Sequence, residues 1–103
     1  MKIKITDGMF FNNLQHYIFE YIENNVLVTG TATPVDNSKH RIDFDISIDD
    51  VKSLDGDEEY ANALVYLNEY AIKRDIETAI LKRIVEKMDE NKKNKRRDYY
   101  ENR

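Results

Sequence analysis

The sequence predicts an α+β fold: a small antiparallel β-meander of three to four strands, then one long or two shorter C-terminal helices and a basic tail. Three observations carry this expectation. Up to Asp49, apolar and polar residues alternate in short runs separated by Asn, Gly and Pro, the period of half-buried strands. After Gly56 there is neither Gly nor Pro, and helix formers dominate. Charge is also uneven: residues 1–91 carry a net charge of −8 and residues 92–103 carry +4.

Taken in order, Ile3 and Ile5 alternate with Lys2, Lys4 and Thr6, which predicts a short first strand ended by Asp7-Gly8. Leu14 to Ile22 is rich in β-branched and aromatic residues, with Tyr17, Phe19 and Tyr21 on one face and Ile18, Glu20 and Ile22 on the other. Asn24-Asn25 tolerates the positive φ of a tight turn, so this run pairs with Val26 to Thr33 as a hairpin. Gly30 inside that strand marks a bulge or bend. Pro34 to Ser38 supplies the next turn. Arg41 to Asp49 then alternates most cleanly, with Ile42, Phe44, Ile46 and Ile48 opposite Arg41, Asp43, Asp45, Ser47 and Asp49.

A helix is expected from about residue 57, capped by Asp55 or Asp57, with Asp57, Glu58 and Glu59 favoured in the first turn by the helix dipole. Tyr60, Leu64, Leu67 and Ala71 form one stripe at helical spacing. Ile72, Ile76, Ile80, Ile84 and Met88 form a second, displaced by about one residue. The polar run Lys73-Arg74-Asp75 sits at the change of phase. One helix running to about Asn94 would overhang a sheet of this size, whereas a break near Asp75 would give a compact helical hairpin; the lack of a turn residue at the joint favours one helix. Residues 1–91 are thus read as a single domain, with its sheet over about 2–49, and residues 92–103 as a basic, frayed tail.

Composition narrows the function classes. With no Cys among 103 residues, disulfide scaffolds, thiolate metal sites and a Cys nucleophile are excluded. The opening lacks the uninterrupted apolar run of a signal peptide or membrane span, so no membrane association and a cytoplasmic location are expected. Abundant Lys, Ile, Asn, Asp and Glu with sparse Pro and Ala resemble in style the short accessory proteins of phages and mobile elements. Gly8, Gly30 and Gly56 are too far apart for a phosphate-binding loop. His16 and His40 lack a third zinc ligand, and Asp55-Gly56-Asp57 is only a fragment of a calcium loop. Asp36, Ser38 and His40 are neighbours in a turn and provide no oriented base or oxyanion hole. No catalytic residue, cofactor or metal is assigned.

What remains is binding. Asp43, Asp45, Asp49, Asp50, Asp55, Asp57, Glu58 and Glu59 lie in one segment with Lys52 as its only base. Carboxylates on alternate strand positions stand about 7 Å apart, a row able to occupy a basic cleft that otherwise holds phosphates. The plainer reading is a solvated strand face followed by a dipole-favoured helix turn. Asp43, Asp45, Asp49, Asp50, Asp57 and Glu58, with Tyr17 and Tyr21 as aromatic anchors, are the expected contacts of a protein partner. The sequence therefore predicts a small intracellular protein-binding module that inhibits a host defence or nucleic-acid-handling protein. Two rival readings are a nucleic-acid binder using Lys92, Lys93, Lys95, Arg96, Arg97, Tyr99 and Tyr100, and a small structural or assembly protein. A homodimer through the C-terminal helix is compatible with each.

Overall fold

The computed structural model describes residues 1–35 and 43–101, with side chains described as far as Lys92. His40, Arg41, Ile42 and most of the expected turn over Pro34 to Ser38 lie outside the described residues. The order is β1 (Lys2–Phe11), β2 (Leu14–Glu23), β3 (Val26–Val35), β4 (Asp43–Ser53) and α1 (Glu58–Glu101). The strands form one antiparallel sheet in the order β1-β2-β3-β4, so the expected α+β meander with a C-terminal helix is what the chain adopts.

Local chemistry explains the turns. Asn24 and Asn25 hold φ of 51° and 62°, the paired positive values that a two-residue hairpin with right-handed strand twist requires. Asn12 and Asn13 repeat the device at 52° and 63°, and this first hairpin carries β1 past the expected stop at Asp7-Gly8. A register shift between Asp7 and Phe10 accommodates Gly8 as a bulge inside the strand.

A second shift lies opposite Thr29 and Gly30, where Thr29 pairs with Asp50 but Gly30 with Ile48. The extra residue on β4 is Asp49. Gly30 is required here, since a Cβ at this position would meet the Ser47 carbonyl oxygen and the Phe19 ring at clashing distances.

Among the described residues only one sheet face is covered. Tyr17, Phe19, Tyr21, Val26, Val28 and Ala32 pack with Phe44 and Ile46 beneath Ala61, Val65, Ile72, Ile76 and Ile80 of α1. Tyr17 meets Phe44 edge to face, with ring centroids 5.9 Å apart. The helix starts beside the end of β4 and leaves the sheet at β1, where Asp7 accepts hydrogen bonds from Arg83 Nε at 3.0 Å and Lys87 Nζ at 2.5 Å.

The favoured single helix is what forms, and one detail of it changes. There is no break near Asp75: α1 is a single helix of 44 residues, its backbone continuing to Glu101. The molecule accordingly measures 63 × 30 × 21 Å with a radius of gyration of 17.2 Å, against about 13 Å for a compact chain of this length. The core stripe in the first half is Ala61 and Val65, flanked by Leu64, while Tyr60, Leu67 and Ala71 are exposed. Ala61 lets the helix approach the sheet more closely than a bulky residue would. No described helix is long and apolar enough to cross a membrane.

Candidate functional site

Because α1 covers one face, the other face of the sheet is open. The register aligns its cross-strand rows: Lys4, Glu20, Thr29 and Asp50 form one, and Thr6, Ile18, Thr31 and Ser47 the next. Asp45 stands opposite Thr33 and Asp43 opposite Val35 on the same side. Strict alternation would place Asp50 with Ile48 toward the core. The bulge instead puts Asp49 and Asp50 together off the core side, between half-buried Ile48 and Val51, and both are exposed. Four carboxylates, Asp43, Asp45, Asp49 and Asp50, thus sit on one edge strand. The Ser47 hydroxyl, on the same face, donates to Asp49 Oδ1 at 3.1 Å.

Beyond Ser53 the carboxylates have structural duties. Asp57 Oδ1 accepts the Tyr60 amide at 3.0 Å, the N-cap bond that satisfies an otherwise unpaired donor of the first turn. Both Glu58 carboxylate oxygens lie 3.3 Å from the Ser53 amide that donates to them, tying the helix start to the end of β4. Asp55 Oδ1 accepts from the Ser53 hydroxyl at 2.7 Å and from the Asp57 amide at 3.2 Å. These bonds, the Ser53 hydroxyl first, hold the Asp55 carboxyl below its ordinary range. Gly56 completes the connector at φ 89°. Asp57 and Glu58, expected as partner contacts, therefore build the helix start as well, although both remain exposed.

Tyr17 and Tyr21 do not stand on the open surface. They are 5% and 3% exposed because their strand parity turns them under α1. Burial, and secondarily the hydrogen bond from the Tyr21 hydroxyl to Glu23 Oε2, raises the Tyr21 phenol well above its ordinary range. Among the described residues the exposed aromatics are Phe10 and Phe11 at the β1–β2 tip, and Tyr60, Tyr66 and Tyr70 on α1. Phe10 and Phe11 follow a bulge that the sequence pattern did not reveal. Tyr66 and Tyr70 share one side of the helix, as their i, i+4 spacing shows, but which side the sheet covers is not written in that spacing.

A groove runs between the β4 edge and α1, lined by Phe44, Asp45, Ile46, Tyr70, Arg74 and Thr78 among others. Among the described residues no group of three or more His, Asp and Glu is placed to hold a metal ion. Lys92, at the start of the basic run, is exposed on α1. The helix backbone continues through Lys93, Lys95, Arg96, Arg97, Tyr99 and Tyr100, whose side chains lie outside the description. No family model, curated protein or solved structure matches this chain.

Proposed function

We propose that this protein is a small cytoplasmic binding module whose acidic β4 face docks into a basic, nucleic-acid-binding cleft of a protein partner and blocks it. The observation that supports this reading is the row of Asp45, Asp49 and Asp50, continued by Asp43, on the outer face of a sheet edge. Carboxylates two positions apart on a strand stand about 7 Å from one another, and each can take the place of a phosphate against Lys or Arg. The bulge at Asp49 sharpens the argument, because it adds a carboxylate to the open face where a regular strand would bury one. Occupying a cleft in this way needs no catalytic group. It suits an accessory protein that inhibits a nucleic-acid-handling or defence enzyme.

The test is competitive capture. Immobilised wild-type protein is exposed to a host lysate and eluted with short duplex DNA. In parallel, a triple variant D45K/D49K/D50K is compared with a charge-matched control, E86K/D89K/E90K. The expected result is one stoichiometric protein, released by DNA, held by the control and lost from the triple variant. Capture that survives charge reversal on β4, or that DNA does not displace, overturns the proposal.

Direct nucleic-acid binding is the second reading. Its support is that α1 projects beyond the sheet past Lys87 and presents the basic run on a helix. Binding of single-stranded DNA that weakens steeply with salt, and disappears when residues 92–103 are removed, is the outcome that would favour it.

A further inference from the structure

The outer face of α1 carries an apolar seam that the fold leaves uncovered. Tyr66, Leu67 and Tyr70 are 82%, 79% and 81% exposed, and Val85 and Met88 are each 55% exposed. At 3.6 residues per turn these five side chains fall within about 100° of the helix circumference, turned away from Ile72, Ile76 and Ile80, which pack on the sheet. Leu67, Tyr70, Arg74, Glu77, Leu81 and Met88 follow the three- and four-residue spacing of a heptad seam. Large, rigid apolar side chains this exposed mark an interaction surface.

We infer that this seam is a self-association surface, on which a second copy of the chain docks with its helix antiparallel. Charge decides both the occupant and the direction. With the two-fold axis between Arg74 and Glu77, Arg74 of each copy faces Glu77 of the other. Tyr70 then meets half-buried Leu81, Leu67 meets half-buried Ile84, and Ala63 meets Met88. At each end the acidic first turn, with exposed Glu58 and Glu59, lies beside exposed Lys92 of the other copy. A parallel pair would set Arg74 against Arg74, Glu77 against Glu77, and each charged end against its like. The seam from Ala63 to Met88 is about 38 Å long, enough for knobs-into-holes packing over several turns at a shallow crossing angle.

Asp49 and Asp50 lie off the sheet face that α1 covers, so this dimer leaves them open and its failure would not bear on their proposed docking, whereas Asp45 borders the same groove as Tyr70 and Arg74. The arrangement also assigns a use to the overhang, whose Lys92 stands beside the partner copy's acidic helix start.

Sedimentation equilibrium of the full chain across a wide concentration range tests the inference. Wild type is expected to be a dimer. Tyr70→Glu is expected to be a monomer with unchanged far-ultraviolet circular dichroism, since the position is exposed. Arg74→Glu and Glu77→Arg should each weaken the dimer by about thirtyfold, the cost of unpairing an interfacial charge, while R74E/E77R recovers wild-type affinity. The chain has no Cys, so an equimolar mixture of Ala63→Cys and Met88→Cys proteins should oxidise mainly to the mixed disulfide. A monomeric wild type overturns the inference. So does a dimer that tolerates both single charge changes, fails to recover in the double variant, or yields mainly the two self-disulfides.

Discussion

The main chains at Gly30 and Ser47 approach so closely that a Cβ on Gly30 would stand 1.9 Å from the Ser47 carbonyl oxygen. The same Cβ would lie 2.7 Å from the Phe19 ring, and the contact sits beside the bulge that places Asp49 and Asp50 on the open face. Gly30→Ala must therefore shift backbone, where a flexible side chain could have yielded cheaply. Overpacking of this kind costs about 3 kcal/mol or more at a backbone contact. Urea unfolding measures it, and a loss below about 1 kcal/mol would mean that the two strands separate easily.

Asp7 ties the first strand to the far end of the helix core. Its carboxyl is held below the ordinary value of 3.8, mainly by the hydrogen bond from Lys87 and then by that from Arg83. A carboxyl with a depressed folded-state pKa adds stability that is fully present above its unfolded value and is lost as pH falls through the folded one. The participating side chains are 37–45% exposed, so solvent screening limits the contribution to about 1 kcal/mol or less. Asp7→Asn should lower stability by that amount near neutral pH and low salt. The gap between variant and wild type should close once the pH falls below 3.8. A gap of constant size across that range would show that the pairs contribute through packing rather than charge.

How far the sequence reveals this molecule depends on which physical signal is local. The alternation of Phe44, Ile46 and Ile48 with Asp43, Asp45 and Ser47 is local, and the acidic face could be read from it. The fate of Asp50 could not, because the bulge that turns it outward is set by how closely β3 approaches at Gly30. Tyr17 and Tyr21 shared a legible face, but their exposure depended on which face the helix would cover. In α1 both faces are apolar in the first half. Periodicity then offers two stripes of equal standing, and the larger residues at Tyr60 and Leu67 drew the reading away from Ala61 and Val65. Asp7-Gly8 carries the local signal of a strand end, yet Gly8 sits within a bulged strand whose turn, Asn12-Asn13, carries the same signal as Asn24-Asn25.

The Asn12-Asn13 turn can be tested directly. Asn13 holds φ 63°, where Asn is tolerated and β-branched residues are strained. Asn13→Gly should be at least as stable as wild type. Asn13→Val should lose about 1–2 kcal/mol, and should loosen amide protection in β1 and β2 before β3 and β4. Equal stability of the two variants in thermal unfolding would mean that the first hairpin contributes little to the cooperative unit.

The two faces of α1 can be told apart by one pair of truncations. Ile76 is fully buried between helix and sheet, whereas Leu67 is 79% exposed. Ile76→Ala removes packed methylene groups and leaves a cavity, at a cost of about 2–4 kcal/mol. Leu67→Ala removes nothing from the core and should stay within about 0.5 kcal/mol of its parent. Both should be compared in the Tyr70→Glu background, so that coupling between folding and association does not enter. In the chain with Tyr70 restored, the order should reverse for assembly: Leu67→Ala should weaken self-association, while Ile76→Ala should lower the unfolding midpoint and leave the association constant of the folded chain nearly unchanged. Equal losses of monomer stability at the two positions would place Leu67 in the core, and the outer seam would then have no face left to present.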